Sequence, residues 1–97
     1  MKFRLVISNS AYSDLEEAIG YYEIKVKGLG KRMEGDFWKS VELIQKRPLA
    51  YRIKYKYCRQ LMLRKFPYAI VYEIFDKEIV IYRVAHLKME PKKRYKK

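Results

Sequence analysis

Three consecutive runs of alternating apolar and polar residues, joined by short turns, fill residues 58–86 and constrain this chain more than any other feature. They cover residues 58–64, 68–75 and 78–86. Pro67 marks the first turn, and Asp76-Lys77 marks the second as a tight hairpin. A period of two sends successive side chains to opposite faces of a sheet. In the middle run Tyr68, Ile70, Tyr72 and Ile74 then share one face, and Ala69, Val71, Glu73 and Phe75 the other. In the last run Val80, Tyr82, Val84 and His86 oppose Ile79, Ile81, Arg83 and Ala85. Apolar residues on both faces mean that each is at least partly covered. Residues 51–57 (YRIKYKY) alternate large and basic side chains and fit either an edge strand or a loop.

Ahead of these runs the period changes. Residues 2–8 (KFRLVIS) are rich in apolar and β-branched residues and predict a strand, followed by polar residues able to cap a helix. From Ser10 to about Lys25, Leu15, Ala18, Ile19, Tyr22 and Val26 recur at helical spacing. The acids Asp14, Glu16 and Glu17 suit the start of that helix, and Gly20 weakens it. Lys27-Gly28-Leu29-Gly30 ends it. A second helix over about 30–46 carries Met33, Phe37, Val41 and Ile44 on one face, with Trp38 flanking, and stops at Arg47-Pro48. Two amphipathic helices with a short connector read as an αα-hairpin. The order is β-α-α-β-β-β. It predicts an α+β domain, the hairpin packed on one face of a mostly antiparallel sheet.

A chain of 97 residues supports one domain with one modest core, here 1–97 with a basic tail over 88–97. The single cysteine, Cys58, excludes an intramolecular disulfide and a cysteine zinc cluster, and suits a reducing cytoplasm as a small buried apolar residue. No cluster of His, Cys and Asp calls for a metal, and no cofactor is expected. The opening apolar run is too short for a signal peptide, and nothing approaches a membrane span. Charge is the more telling quantity. Residues 1–50 carry nine Lys/Arg against seven Asp/Glu, whereas residues 51–97 carry fourteen against four. That asymmetry predicts a basic face toward phosphates or an acidic protein partner. The tail has six cations and one glutamate and is expected to be mobile unless bound.

Four motifs in order resemble the RelE/ParE superfamily of bacterial toxin–antitoxin toxins, over nearly the whole chain. Gly28-Leu29-Gly30 is similar to the family's inter-helix G-L-G, and Pro48 with Tyr51 to its exit from the second helix. Arg59 to Tyr72, R-x-L-x-L-R-K-F-P-Y-x-I-x-Y, resembles its central block. Val84-x-His86 with Pro91 resembles its close. The F-P-Y form is nearer to the ParE-like branch than to the ribosome-dependent ribonucleases. Met89 stands where the closing pattern often has arginine, and Ala69 where some nuclease members carry one. The resemblance implies a toxin of a type II, plasmid-stabilising module that arrests growth and is silenced by an acidic, partly disordered antitoxin.

Within that resemblance the chemistry stays open. Metal-independent RNA cleavage needs a proton acceptor, cations for the pentacoordinate phosphate and a proton donor. Arginine's planar fork grips phosphate without losing charge, which nominates Arg59, Arg64 and Arg83. His86, the one histidine, titrates near working pH and is the natural acid–base group. Lys65, Tyr68, Lys88, Lys92, Lys93 and Arg94 are the residues expected along bound nucleic acid. Ribosome-dependent mRNA cleavage is the expected activity. The alternatives are a ParE-like, non-hydrolytic poison of DNA gyrase, and a degenerate toxin that keeps only antitoxin binding. A packed strand-end histidine and ion-paired arginines are the bland counterparts of this site.

Overall fold

The computed structural model describes residues 3–89 and 91–95, with side chains for all of these except Pro91 and Lys92. Five strands form one sheet: β1 (Arg4–Ile7), β2 (Ile53–Tyr55), β3 (Cys58–Met62), β4 (Tyr68–Phe75) and β5 (Glu78–His86). Helices α1 (Asn9–Lys25) and α2 (Leu29–Lys46) separate β1 from the rest, and a helical turn, α3 (Pro91–Arg94), follows β5. The sheet order is β1-β5-β4-β3-β2, antiparallel except for the parallel pair β1–β5. The α+β hairpin-on-sheet architecture is therefore as the periodicities predict, and residues 51–57 supply an edge strand. Lys2, at the start of the predicted first strand, lies outside the described residues. Among the described residues no helix is long and apolar enough to cross a membrane.

The core lies between hairpin and sheet. Met33, Phe37, Val41 and Ile44 of α2 and Ala11, Leu15 and Ala18 of α1 meet Ile70, Tyr72, Ile79, Ile81 and Val84, all essentially inaccessible to solvent. Ser8 caps α1, its hydroxyl accepting from the Ala11 amide at 3.1 Å. The same hydroxyl donates to the Tyr82 carbonyl at 3.0 Å, joining helix start to β5.

The glycine pair between the helices has two separate jobs. Gly28 takes φ +90°, a left-handed turn that a side chain resists. Gly30 lets the helices touch: a β-carbon there would sit 2.7 Å from the Ile19 carbonyl oxygen. The Glu23 carboxylate accepts from both amides, Gly28 at 2.9 Å and Gly30 at 3.0 Å, and caps α2 in place of a local side chain. Gly30→Ala is accordingly expected to lower stability by roughly 1–3 kcal/mol, as overpacking against backbone does. Urea unfolding checks this, and an unchanged midpoint would mean that the hairpin opens freely.

Two expectations need correction. The alternation of β5 does not run unbroken to its end. Val71 pairs with Arg83 but Tyr72 pairs with Ile81, so the ladder skips Tyr82 in a β-bulge. Beyond the bulge the faces exchange, and Val84 joins Ile79 and Ile81 in the helix-facing core rather than opposing them. The described residues of the tail are not free either. Arg94 donates to the Leu87 and Met89 carbonyls at 2.8 and 3.2 Å, and the Tyr95 hydroxyl donates to Gln60 at 2.9 Å. Tyr95 also stacks on Tyr55 at 5.3 Å, which sets it over the sheet face opposite the hairpin.

Candidate functional site

The four residues nominated for catalysis occupy three different places. Arg83 follows the bulge, where β5 has passed the end of β1 and its edge lies open. Asp14 of α1 fills that edge. Its carboxylate accepts from Arg83 Nε at 2.7 Å, from Arg83 Nη2 at 3.1 Å and from the Val84 amide at 3.0 Å. This pairing holds the guanidinium pKa above its ordinary value, burial opposing it. The arginine's charge is thus already spent on a carboxylate.

Arg59 sits on β3 opposite Tyr72 and donates from one nitrogen to the carbonyls of Leu49 and Tyr51, at 3.2 and 2.7 Å. It fastens the exit of α2 to the sheet. His86 is opposite Tyr68, four residues from Tyr72 along β4 and therefore roughly 13 Å away at strand rise. Arg64 leaves the sheet altogether, in the loop after β3.

His86 lines a pocket of about 270 Å³ with Tyr68, Tyr21, Glu17 and Met89. Its ring meets Tyr68 edge-on at 5.0 Å. Its Nδ1 accepts from the Lys88 amide at 3.0 Å, which leaves the proton of the neutral ring on Nε2. Burial raises the Tyr68 phenol above its usual pKa, helped by Tyr22, Tyr21 and Glu17. Both groups are hydrogen-bond donors at neutral pH. The strand that carries His86 has one arginine, the Asp14-bound Arg83, and β4, which carries Tyr68, has none.

Arg64 and Lys65 instead face α2 across a groove of about 850 Å³. Arg32 and Lys39 form the opposite wall, a pair absent from the sequence reading although their helical spacing was visible. Asp36, almost fully buried, accepts from the Lys65 amide at 2.9 Å and anchors the loop. Of the residues expected along nucleic acid, Lys88 and Lys93 are exposed, and Arg94 is tied to backbone carbonyls. The Lys92 side chain lies outside the described residues. Among the described residues, no group of three His, Cys, Asp or Glu side chains is placed to hold a metal ion.

The family model for the ParE toxin of the type II toxin–antitoxin system parDE matches residues 5–91. The chain belongs to the ParE toxin family. Solved structures of the RelE/ParE type share its fold. One from the chromosomal ParDE system of P. aeruginosa superposes with a TM-score of 0.79 at 21% identity, covering 88% of this chain and 96% of that one. An E. coli RelE arginine double mutant in complex with a RelB peptide gives 0.66 at 19%, covering 98% and 92%. The E. coli DinJ–YafQ toxin–antitoxin complex gives 0.60 at 13%, covering 89% and 93%. No curated protein matches the chain. As a ParE-family member the chain is a type II toxin, and its two-helix hairpin on a five-stranded sheet is the RelE/ParE toxin fold.

Proposed function

We propose that this ParE-family toxin arrests growth by binding rather than by cleaving, as a non-hydrolytic poison of DNA gyrase held silent by an antitoxin. The observation that carries this is the commitment of Arg83 to Asp14 at 2.7 and 3.1 Å, on the strand that also carries His86. A phosphate there meets a neutralised pair instead of a free cation. The remaining arginines support the same reading, because Arg59 serves backbone carbonyls and Arg64 opens onto a different groove. Met89 stands where the family's closing pattern often has arginine, and Ala69, fully buried, where some nuclease members carry one. The antitoxin is argued from charge: a chain of net +12 attracts an acidic segment that orders on binding.

The His86–Tyr68 pocket favours ribosome-dependent mRNA cleavage as the second reading, and one experiment separates the two. Purified gyrase and supercoiled plasmid are expected to give linear DNA when this protein is added, with no new primer-extension stops on message in a translation mixture. His86→Gln keeps an acceptor for the Lys88 amide while removing the imidazole. Gyrase poisoning by this variant is expected to match the unaltered chain, whereas a nuclease losing its acid–base group drops ~10²–10⁴-fold in rate. Ribosome-dependent stops that vanish in His86→Gln would overturn the proposal.

A further inference from the structure

The groove between α2 and the loop after β3 plays no part in the reading above, and it leaves charges of both signs unspent. Arg32 and Lys39 line one wall, Arg64 and Lys65 the other. Among the described residues none of these four side chains has an ion pair or hydrogen bond. Asp36 lines the groove as well and is only 7% exposed. Its Oδ2 accepts from the Lys65 amide at 2.9 Å, while its Oδ1 accepts nothing among the described residues. Arg32 lies four residues before it and Lys39 three after, the spacings at which a helix pairs unlike charges. Neither closes on it. A carboxylate oxygen held out of water without a donor is costly, so the arrangement favours a ligand that supplies one.

Size and shape narrow the ligand. The concavity measures about 850 Å³, within the roughly 300–1,000 Å³ of small-molecule sites. Its walls are fixed in advance, one by α2 and the other by the bond between Asp36 and the Lys65 amide. Phe66 adds a flat apolar surface, its ring set edge-on against Tyr22 at 4.8 Å. Gly35 leaves the wall beside Asp36 bare. A β-carbon there would meet nothing within 4 Å, so packing inside the fold does not call for glycine. Glycine in a helix lowers stability, and what it offers in return is close approach to the backbone.

We propose that this groove is a nucleotide site, taking guanosine triphosphate with its base edge at Asp36 and its phosphates among the four cations. A triphosphate concentrates its charge in one short chain, which suits arginines and lysines converging from two walls. The carboxylate selects the base. Guanine presents a ring N–H and an amino group side by side, two donors for one carboxylate. Adenine sets an acceptor nitrogen beside its amino group and turns a lone pair toward Asp36. Phe66 offers either base a face to stack on. A nucleic-acid strand would also meet the cations, but its evenly spread phosphates run against the Asp36 charge inside the groove. The site shares no residue with the His86 pocket or the Arg83–Asp14 pair, and it stands independently of the gyrase reading.

The test titrates guanosine triphosphate into the full ¹⁵N-labelled chain at physiological salt. Adenosine triphosphate, inorganic tripolyphosphate and a single-stranded oligonucleotide serve as comparisons. Amide shifts are expected on residues 29–39 and 64–66, with guanosine triphosphate bound at least about tenfold tighter than each of the others. Asp36→Asn keeps an oxygen for the Lys65 amide and turns a donor toward the groove. Xanthosine triphosphate carries a carbonyl where guanine has its amino group. The variant is therefore expected to reverse the preference between these two nucleotides, by about tenfold or more in each direction. A loop that had merely loosened would weaken both alike. Arg32→Ala and Arg64→Ala are each expected to weaken both about tenfold and leave their order unchanged. Tripolyphosphate or the oligonucleotide bound as tightly as guanosine triphosphate overturns the proposal, and so does an unchanged order in Asp36→Asn.

Discussion

Replacing Asp14 by alanine is expected to cost the fold about 3–5 kcal/mol, the range seen when one partner of a buried ion pair is removed. Side-chain exposures of 21% for Arg83 and 15% for Asp14 place the pair mostly out of water, where neither charge is freely hydrated. Alanine would leave the guanidinium without its counter-charge. It would also orphan the Val84 amide on an open sheet edge, a second loss of about 1–3 kcal/mol if no water reaches it. Arg83→Met should cost less, because Asp14 keeps the Val84 amide and the methionine chain fills much of the same space. The double variant should recover part of the Asp14→Ala loss, giving a coupling of roughly 0.5–3 kcal/mol. Urea unfolding of the four proteins measures it. Additive effects would mean that Arg83 is held by something other than Asp14, and would reopen its availability to phosphate.

That pair also shows where reading the sequence stops. Helices and strands were legible because their periods, 3.6 and 2, are written in single segments. The G-L-G connector was legible for the same reason, although only the packing separates a left-handed turn at Gly28 from a close approach at Gly30. The bulge at Tyr82 was not legible. It arises where β1 ends opposite Ile81 and the freed edge of β5 is taken over by Ser8 and Asp14. One inserted residue then reverses every side chain beyond it. The Arg83–Asp14 contact spans 69 positions, and no local pattern announces it.

The candidate site failed to assemble for a related reason. Arg59, Arg64 and Arg83 lie on neighbouring runs, which invites the idea of one basic patch. Alternation says which face a residue takes but not what waits there. Arg59 meets two carbonyls at the end of α2, a consequence of where Pro48 stops the helix. Arg64 lies past the end of β3, which stops at Met62 rather than running on to residue 64. The groove residues illustrate the opposite case. Arg32, Gly35 and Lys39 fall at i, i+3 and i+7 of a helix, a readable stripe, yet the weight of charge in the second half drew the functional reading away from it.

Raising the pH from about 10 to about 12 is expected to remove roughly 3 kcal/mol of stability through one buried phenol. Tyr72 is fully inaccessible at the centre of the sheet, and its hydroxyl donates to the Pro48 carbonyl at 2.7 Å. Burial pushes its pKa up to about 12, with Arg59 pulling the other way and Tyr51 adding to the rise. The folded chain therefore keeps a proton that the unfolded chain releases near 10. Such a group stabilises fully below the unfolded value, and its contribution fades as pH climbs to the folded one. Two pKa units correspond to about 2.7 kcal/mol. Burial raises Tyr22 and Tyr68 as well, so both add to the loss in the same direction. Tyr72→Phe isolates the central residue. At neutral pH it should be less stable by about 0.5–1.5 kcal/mol for the lost hydrogen bond. Between pH 10 and 12 the two urea midpoints should converge and then cross, because phenylalanine has no proton to lose. Parallel curves would mean that Tyr72 reaches solvent in its ionised form, and that the seal between the end of α2 and the sheet is looser than its 2.7 Å bond implies.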